Sequence, residues 1–402
     1  MRSLRHSRWR SAAYAVLAAV VLPGAAAAQE TRAEEIARKQ QEKAARLTTY
    51  EPGRFERIMD RLEQNFADPP SGLYPTAGRV YAGGGLSLGA GYRYFFARKA
   101  VVDLSSLYSV KHYKLVELAV RRPWTMNGRV NVAARAGWLD ATQVGYFGLG
   151  MGSLRGDRAN FGLRQSYVAG TLEARPAPVA RLEGEVGIED YSTGTGTGRA
   201  PSIETRYDAV TAPGLFSAPT FVRTRGTAAI DWRGSPGYTR SGGYYGVTLF
   251  DYTDRGGPFD FRRLEGELIQ HLPLLRENWV ISLRGRVQTT LGDNDLVPYY
   301  LLPSLGGGRT LRGYTTDRFR DRHSVLTSAE FRWIVNRLAL DMALFYDAGK
   351  VTADRADLDL RGLRSDWGVG ARFHGPAATA LRIEAARGNE GWRIVLATNA
   401  AF

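Results

Sequence analysis

The sequence predicts an all-β protein: a 16-stranded antiparallel transmembrane β-barrel preceded by a short N-terminal helical segment. Three observations carry this. From about Pro75 onward, apolar and polar residues alternate with period 2. The inner positions of that alternation hold charged residues at nearly every strand, a set that a soluble sandwich rarely buries. After residue 28 no apolar run reaches the ~18 residues of a membrane helix, so any bilayer crossing is made by strands.

The first 28 residues have the layout of a secretory signal. Arg2, Arg5, Arg8 and Arg10 precede a short apolar run from Ser11 to Gly24, and small residues end at Ala26-Ala27-Ala28. That run is too short and too alanine-rich for a membrane anchor. The chain has no cysteine, so a large sheet rather than a disulfide framework must supply stability. Of the +14 formal charge, four belong to the signal arginines, and the rest are scattered singly among Asp and Glu. With no basic run interleaved with aromatics, a nucleic-acid partner is disfavoured. Arginines lining a polar lumen and meeting lipid head groups explain the charge instead.

Residues 29–74 differ in composition from the rest of the chain. Residues 30–47 mix Glu, Lys, Arg, Gln and Ala, and Phe55, Ile58, Met59, Leu62 and Phe66 then fall at helical spacing until Pro69-Pro70. Two roles stay open: a helix covering the periplasmic mouth, or a linker packed on the barrel base. The barrel itself is expected over 75–402.

Strand-like segments lie near 86–95, 100–109, 112–121, 129–138, 164–175, 179–190, 221–233, 243–252, 260–271, 279–289, 324–335, 338–347, 367–374, 379–387 and 391–402. Short connections such as Pro176-Ala177-Pro178 alternate with long ones at 139–163, 191–220 and 290–323, and bacterial barrels keep the short turns periplasmic. By that parity an outward strand precedes 86–95, around Thr76 to Gly83, which makes sixteen. Gly83-Gly84-Gly85 would keep its pairing loose.

Parity also assigns faces. Ser282, Arg284, Arg286 and Gln288 point into the lumen opposite Ile281, Leu283, Gly285 and Val287, and Arg382 and Glu384 do so opposite Leu381, Ile383 and Ala385. In the strands after the long 290–323 connection, Glu330 and Arg332, then Asp341, Ala343, Phe345, Asp347 and Gly349, face inward. The connection carries Gly306-Gly307-Gly308-Arg309-Thr310-Leu311-Arg312-Gly313-Tyr314, whose glycines permit a tight backbone that re-enters the barrel. Arg312 is then expected to anchor the loop on Glu330 and Asp347 through charge-assisted, bidentate bonds.

On these residues the chain resembles the barrel domain of the BamA/TamA family, the outer-membrane insertase and translocation barrels also known as bacterial surface antigens. Leu311-Arg312-Gly313-Tyr314 is similar to the arginine-glycine-aromatic motif of that family's sixth extracellular loop. Phe345-Tyr346-Asp347-Ala348-Gly349 resembles its Phe-x-Asp-x-Gly strand motif, and Glu330 stands at the position of the glutamate partner. Asp231-Trp232-Arg233 with Pro236, Thr239-Arg240 and Gly242 resembles an earlier periplasmic turn. The resemblance covers roughly Pro75 to Phe402 and is strongest from about residue 229. It implies an outer-membrane location in a Gram-negative bacterium. Residues 29–74 are too few for the periplasmic POTRA modules that such barrels usually carry, so a POTRA-less member is expected.

No catalytic constellation emerges. Gly85-Leu86-Ser87-Leu88-Gly89 fits the nucleophile-elbow pattern, but it sits in a glycine-rich strand without a following helix. His6, His112, His271, His323 and His374 lack metal-ligand spacing. Gly194-Thr195-Gly196-Thr197-Gly198 reads as an outer-loop linker. The expectation is a non-enzymatic barrel without cofactor or metal. Where its glycine-rich first strand pairs weakly with its last, which carries Trp392 and ends in the assembly-signal residue Phe402, a seam could accept an incoming strand. The expected partners are outer-membrane lipid and either nascent outer-membrane proteins or periplasmic accessory proteins, with the barrel monomeric. The alternative functions are a pore or secretion channel gated by the loop, and a surface antigen exposing 191–220.

Overall fold

The computed structural model describes residues 71–402 apart from 98–99, 276–277, 292–296, 337–338, 376–377 and 399, together with Arg38. The signal at 1–28 and the helical stripe at 55–66 lie outside the described residues.

Among the described residues, sixteen strands form one antiparallel sheet whose neighbours follow chain order. They are β1 (Gly72–Gly78), β2 (Ser87–Phe96), β3 (Ala100–Ser109), β4 (Lys114–Thr125), β5 (Val130–Tyr146), β6 (Ala159–Ala177), β7 (Ala180–Thr195), β8 (Thr220–Asp231), β9 (Gly242–Asp254), β10 (Phe261–Leu274) and β11 (Trp279–Leu291). After a two-residue ladder of β12 (Ser304–Leu305) with β13 (Phe319–Arg320) inside the long connection, the sheet resumes. It continues with β14 (His323–Asn336), β15 (Leu340–Thr352), β16 (Arg364–His374), β17 (Thr379–Gly388) and β18 (Gly391–Ala397).

Period-2 alternation becomes two walls. On β17, Arg382, Glu384 and Ala386 are buried while Ile383 and Arg387 are exposed. Val247, Leu268, Leu283, Leu344 and Val369 on neighbouring strands are likewise exposed. An apolar outer wall of this extent suits lipid and not water. The inner wall is ionic. Arg223 bonds Glu189 at 2.7 Å and also Glu185, which Arg135 reaches at 3.2 Å from β5.

The upper ends of β5 to β10 enclose an aromatic cap. Tyr299 and Tyr300, from a short 3₁₀ turn of the β11–β14 connection, pack at 4.8 Å from Phe161 and 5.4 Å from Tyr191 respectively. Tyr146, Phe221, Tyr252, Phe261 and Leu302 complete it, all buried. Burial pushes the Tyr299 and Tyr300 phenols above their ordinary range, so they stay neutral. The cap explains why β5 and β6 run longer than 129–138 and 164–175. Their extensions are buried on both faces, as Ala141, Val144, Ala159 and Phe161 are, which hides the alternation that marks a strand in sequence.

Both ends of the sheet differ from expectation. The first strand begins at Gly72 rather than near Thr76, because Gly83 and Gly85 take φ of +78° and +77° and belong to the following turn. The last strand stops at Ala397, and Phe402 does not extend it. The Phe402 ring lies 6.3 Å from the inward-facing His271 ring, with the Arg284 guanidinium 5.8 Å from its centre. A terminal residue with an aromatic face finds cation and imidazole partners inside the lumen that an unpaired strand end lacks.

Candidate lumen anchor and loop site

The β11–β14 connection turns back into the barrel at Gly306 and Gly307, whose φ values of +118° and +93° favour glycine. The turn closes on itself: the Gly307 amide donates to the Leu311 and Tyr314 carbonyls at 3.1 and 3.0 Å, and the Thr310 hydroxyl accepts the Gly306 amide at 2.8 Å. Leu311, Arg312 and Tyr314 are all buried as a result.

Arg312 is 2 % exposed and spends its guanidinium on three carboxylates. Its Nε and Nη2 donate to the two oxygens of Asp347 at 2.7 and 3.0 Å, while Nη1 donates to Glu330 and Glu384 at 3.0 Å each. The ring of Phe345 lies flat beneath, 3.5 Å from the guanidinium carbon. Glu330 and Asp347 come from β14 and β15, as alternation requires. Glu384 comes from β17, two strands further on, and is a partner that the loop motif does not single out. Further cations balance the carboxylates. Arg372 on β16 forks onto both oxygens of Glu330 and reaches Glu384 at 3.1 Å. Arg382 contacts Glu384 at 3.3 Å and donates to the loop carbonyl of Gly308 at 2.7 Å. Buried charges persist only in such mutually satisfied sets.

The glycines of the site are required by proximity. A Cβ on Gly313 would stand 2.6 Å from both the Asp366 Cβ and the Gly388 nitrogen. One on Gly349 would meet the Val325 carbonyl at 2.7 Å, where the loop residue Leu305 already packs. Tyr314 packs edge-on against Phe319 at 5.2 Å and donates to the Ser365 carbonyl at 3.2 Å. Arg318 extends the footing, bonding Glu390 of the β17–β18 hairpin at 2.6 Å and Ser153 of the β5–β6 loop at 2.7 and 2.8 Å. The loop thus touches both flanks of the lumen. Trp392, by contrast, sits on the outer wall of β18 and takes no part.

The turn between β8 and β9 also reaches across the lumen. Tyr238 stacks on His374 with centroids 3.8 Å apart and donates to Asp341 at 2.5 Å, and the Gly237 carbonyl accepts from Thr379 at 3.0 Å. Motif resemblance picks out this turn but not Tyr238, the residue that docks it. The nucleophile-elbow candidate Ser87 is buried at the start of β2, and among the described residues its hydroxyl has no hydrogen-bond partner and no group of three potential metal ligands occurs.

A sixteen-stranded sheet with an apolar outer wall, an ionic lumen and an inserted loop defines an outer-membrane β-barrel of a Gram-negative bacterium. Residues 223–388 match the Omp85 superfamily domain, and that segment holds the β8–β9 turn, the loop and all of its carboxylate partners. In fold it is similar to BamA from Haemophilus ducreyi lacking POTRA domains 1-3, with a TM-score of 0.61 at 16% identity over 82% of this chain and 70% of that one. It is also similar to CdiB from Escherichia coli, with a TM-score of 0.55 at 12% identity over 81% of this chain and 61% of that one. CdiB from Acinetobacter baumannii gives a TM-score of 0.50 at 9% identity over 81% of this chain and 58% of that one. The chain thus spans less than two thirds of either CdiB. No curated protein matches it in sequence.

Proposed function

We propose that this barrel, without chemical catalysis, assists the insertion or assembly of proteins, or the handling of lipid, in the outer membrane through a lateral seam between β1 and β18. The observation that carries the reading is the state of the sheet ends. β1 and β18 are seven residues each, against seventeen and nineteen for β5 and β6, and the described residues include no ladder between them. Short, unpaired edges present backbone donors and acceptors that an incoming strand can satisfy. The loop held by Arg312 braces β14, β15 and β17 from inside, so the edge can move while the wall behind it stays fixed. Nascent outer-membrane proteins or periplasmic accessory proteins would be the protein partners, and the barrel would act as a monomer. The buried aromatic cap around Tyr299 and Tyr300 lies against the outer ends of β5 to β10 and supports this reading over an open pore.

The test places one cysteine in β1 and one in β18 and compares outer-membrane protein and lipid composition with the disulfide closed and then reduced. Closure is expected to impair assembly or lipid balance, and reduction to restore it. A closed seam that leaves both unchanged would return the protein to the pore or surface-antigen alternatives.

A further inference from the structure

One outward-facing arginine near the outer rim has no acidic partner among the described residues. Arg387 is the penultimate residue of β17, one residue below the hairpin whose Glu390 is held by Arg318, so at ~3.3 Å per residue it lies at head-group depth rather than mid-bilayer. Strand register sets it in a row across four neighbouring strands: Tyr346 on β15, Trp367 on β16, Arg387 on β17 and Trp392 on β18. All four are exposed on the outer wall, the three aromatic residues by about half. The indoles of Trp367 and Trp392 meet edge to face at 5.5 Å, and the Arg387 guanidinium lies 5.7 Å from the Trp392 ring centre.

Three outward cations near the outer ends of other strands are neutralised by protein. Lys114 and Arg164 flank Asp140 at 3.5 and 3.6 Å, and Arg262 bonds Asp251 at 2.5 Å. Arg387 has no carboxylate within ion-pair distance among the described residues. A guanidinium facing lipid without a protein counter-ion calls for an anion from the membrane, and its fork suits phosphate oxygens. The indoles on either side are the residues that settle at the boundary between head groups and acyl chains.

We propose that Arg387, framed by Trp367 and Trp392, binds a phosphate of the phosphorylated glycolipid of the outer leaflet, lipid A. The site abuts β18, so the bound lipid lies against the edge of the sheet. Binding itself does not depend on what that edge does.

The full chain is refolded into nanodiscs of phosphatidylcholine doped with either lipid A or phosphatidylglycerol, and retained lipid is counted by native mass spectrometry. The wild type is expected to retain lipid A in preference to phosphatidylglycerol, and millimolar inorganic phosphate should not displace it. Arg387→Gln should lower retention about tenfold, a difference of ~1.4 kcal/mol, while Arg262→Gln leaves it unchanged. Should the glutamine variant fail to fold, Arg387→Lys decides, because a point charge loses the fork and retention should fall severalfold. Equal retention by wild type and the Arg387 variant, equal loss in Arg262→Gln, displacement by free phosphate, or preference for phosphatidylglycerol would each overturn the assignment.

Discussion

Arg312→Ala is expected to destabilise the folded barrel by about 3–5 kcal/mol, the cost of removing one partner from a buried ion-pair set. The magnitude reflects the carboxylates left behind. Asp347 loses both of its bonds from Nε and Nη2, and Glu330 and Glu384 keep only Arg372, Arg382 and the more distant Arg332. No water-filled surface is available to solvate the vacated carboxylate, since Asp347 is 1 % exposed. Arg312→Lys should recover only part of the loss, because a single ammonium cannot span Asp347 in two directions while reaching Glu330 and Glu384. Urea-induced unfolding in detergent micelles, followed by loss of the heat-modifiable gel band, measures both. An Arg312→Ala barrel as stable as the wild type would mean that the loop is held by its other footings alone.

Gly313→Ala should have the next largest effect although it adds one methyl group. That methyl would meet the Asp366 Cβ and the Gly388 nitrogen at 2.6 Å and the Arg387 carbonyl carbon at 2.9 Å. Two of the three belong to backbone, so no side-chain rotation relieves the contact. The loop must rise off β16 and β17, which costs about 1–3 kcal/mol in overpacking and pulls Arg312 out of register with its carboxylates. Gly266→Ala on β10, where nothing lies within 4 Å of the added carbon, is the matched control and should be neutral. The same unfolding measurement on both variants separates a general intolerance of alanine in strands from a specific loss of loop seating. Equal effects would sink the proximity argument.

The sequence disclosed the site to the extent that strand parity determines it. Glu330 and Asp347 could be placed in the lumen from alternation alone, because a residue on a half-buried strand has only two directions to point. Arg382 and Glu384 are placed inward by the same rule, yet their junction with Arg312 is not legible. It depends on how far β14 to β17 are offset along one another and on how deep the loop descends, and neither is written in a local pattern. Arg372 escapes sequence reasoning because Gly368 and Gly370 interrupt the alternation of β16. The two sheet ends differ from expectation for a related reason: a glycine-rich stretch at 83–85 and the weakly patterned Thr398 to Phe402 carry no period, so the path of the chain end is set by tertiary partners such as Arg284 and His271.

Amide hydrogen exchange of the folded barrel distinguishes a sheet loose at its ends and braced behind them from one zipped along its whole edge. Amides of β1 and β18 are expected to exchange orders of magnitude faster than those of β14 and β15, which carry ladders on both sides and the Arg312 anchor within. Protection of β1 and β18 as deep as that of β14 and β15 would show a zipped seam and contradict this expectation.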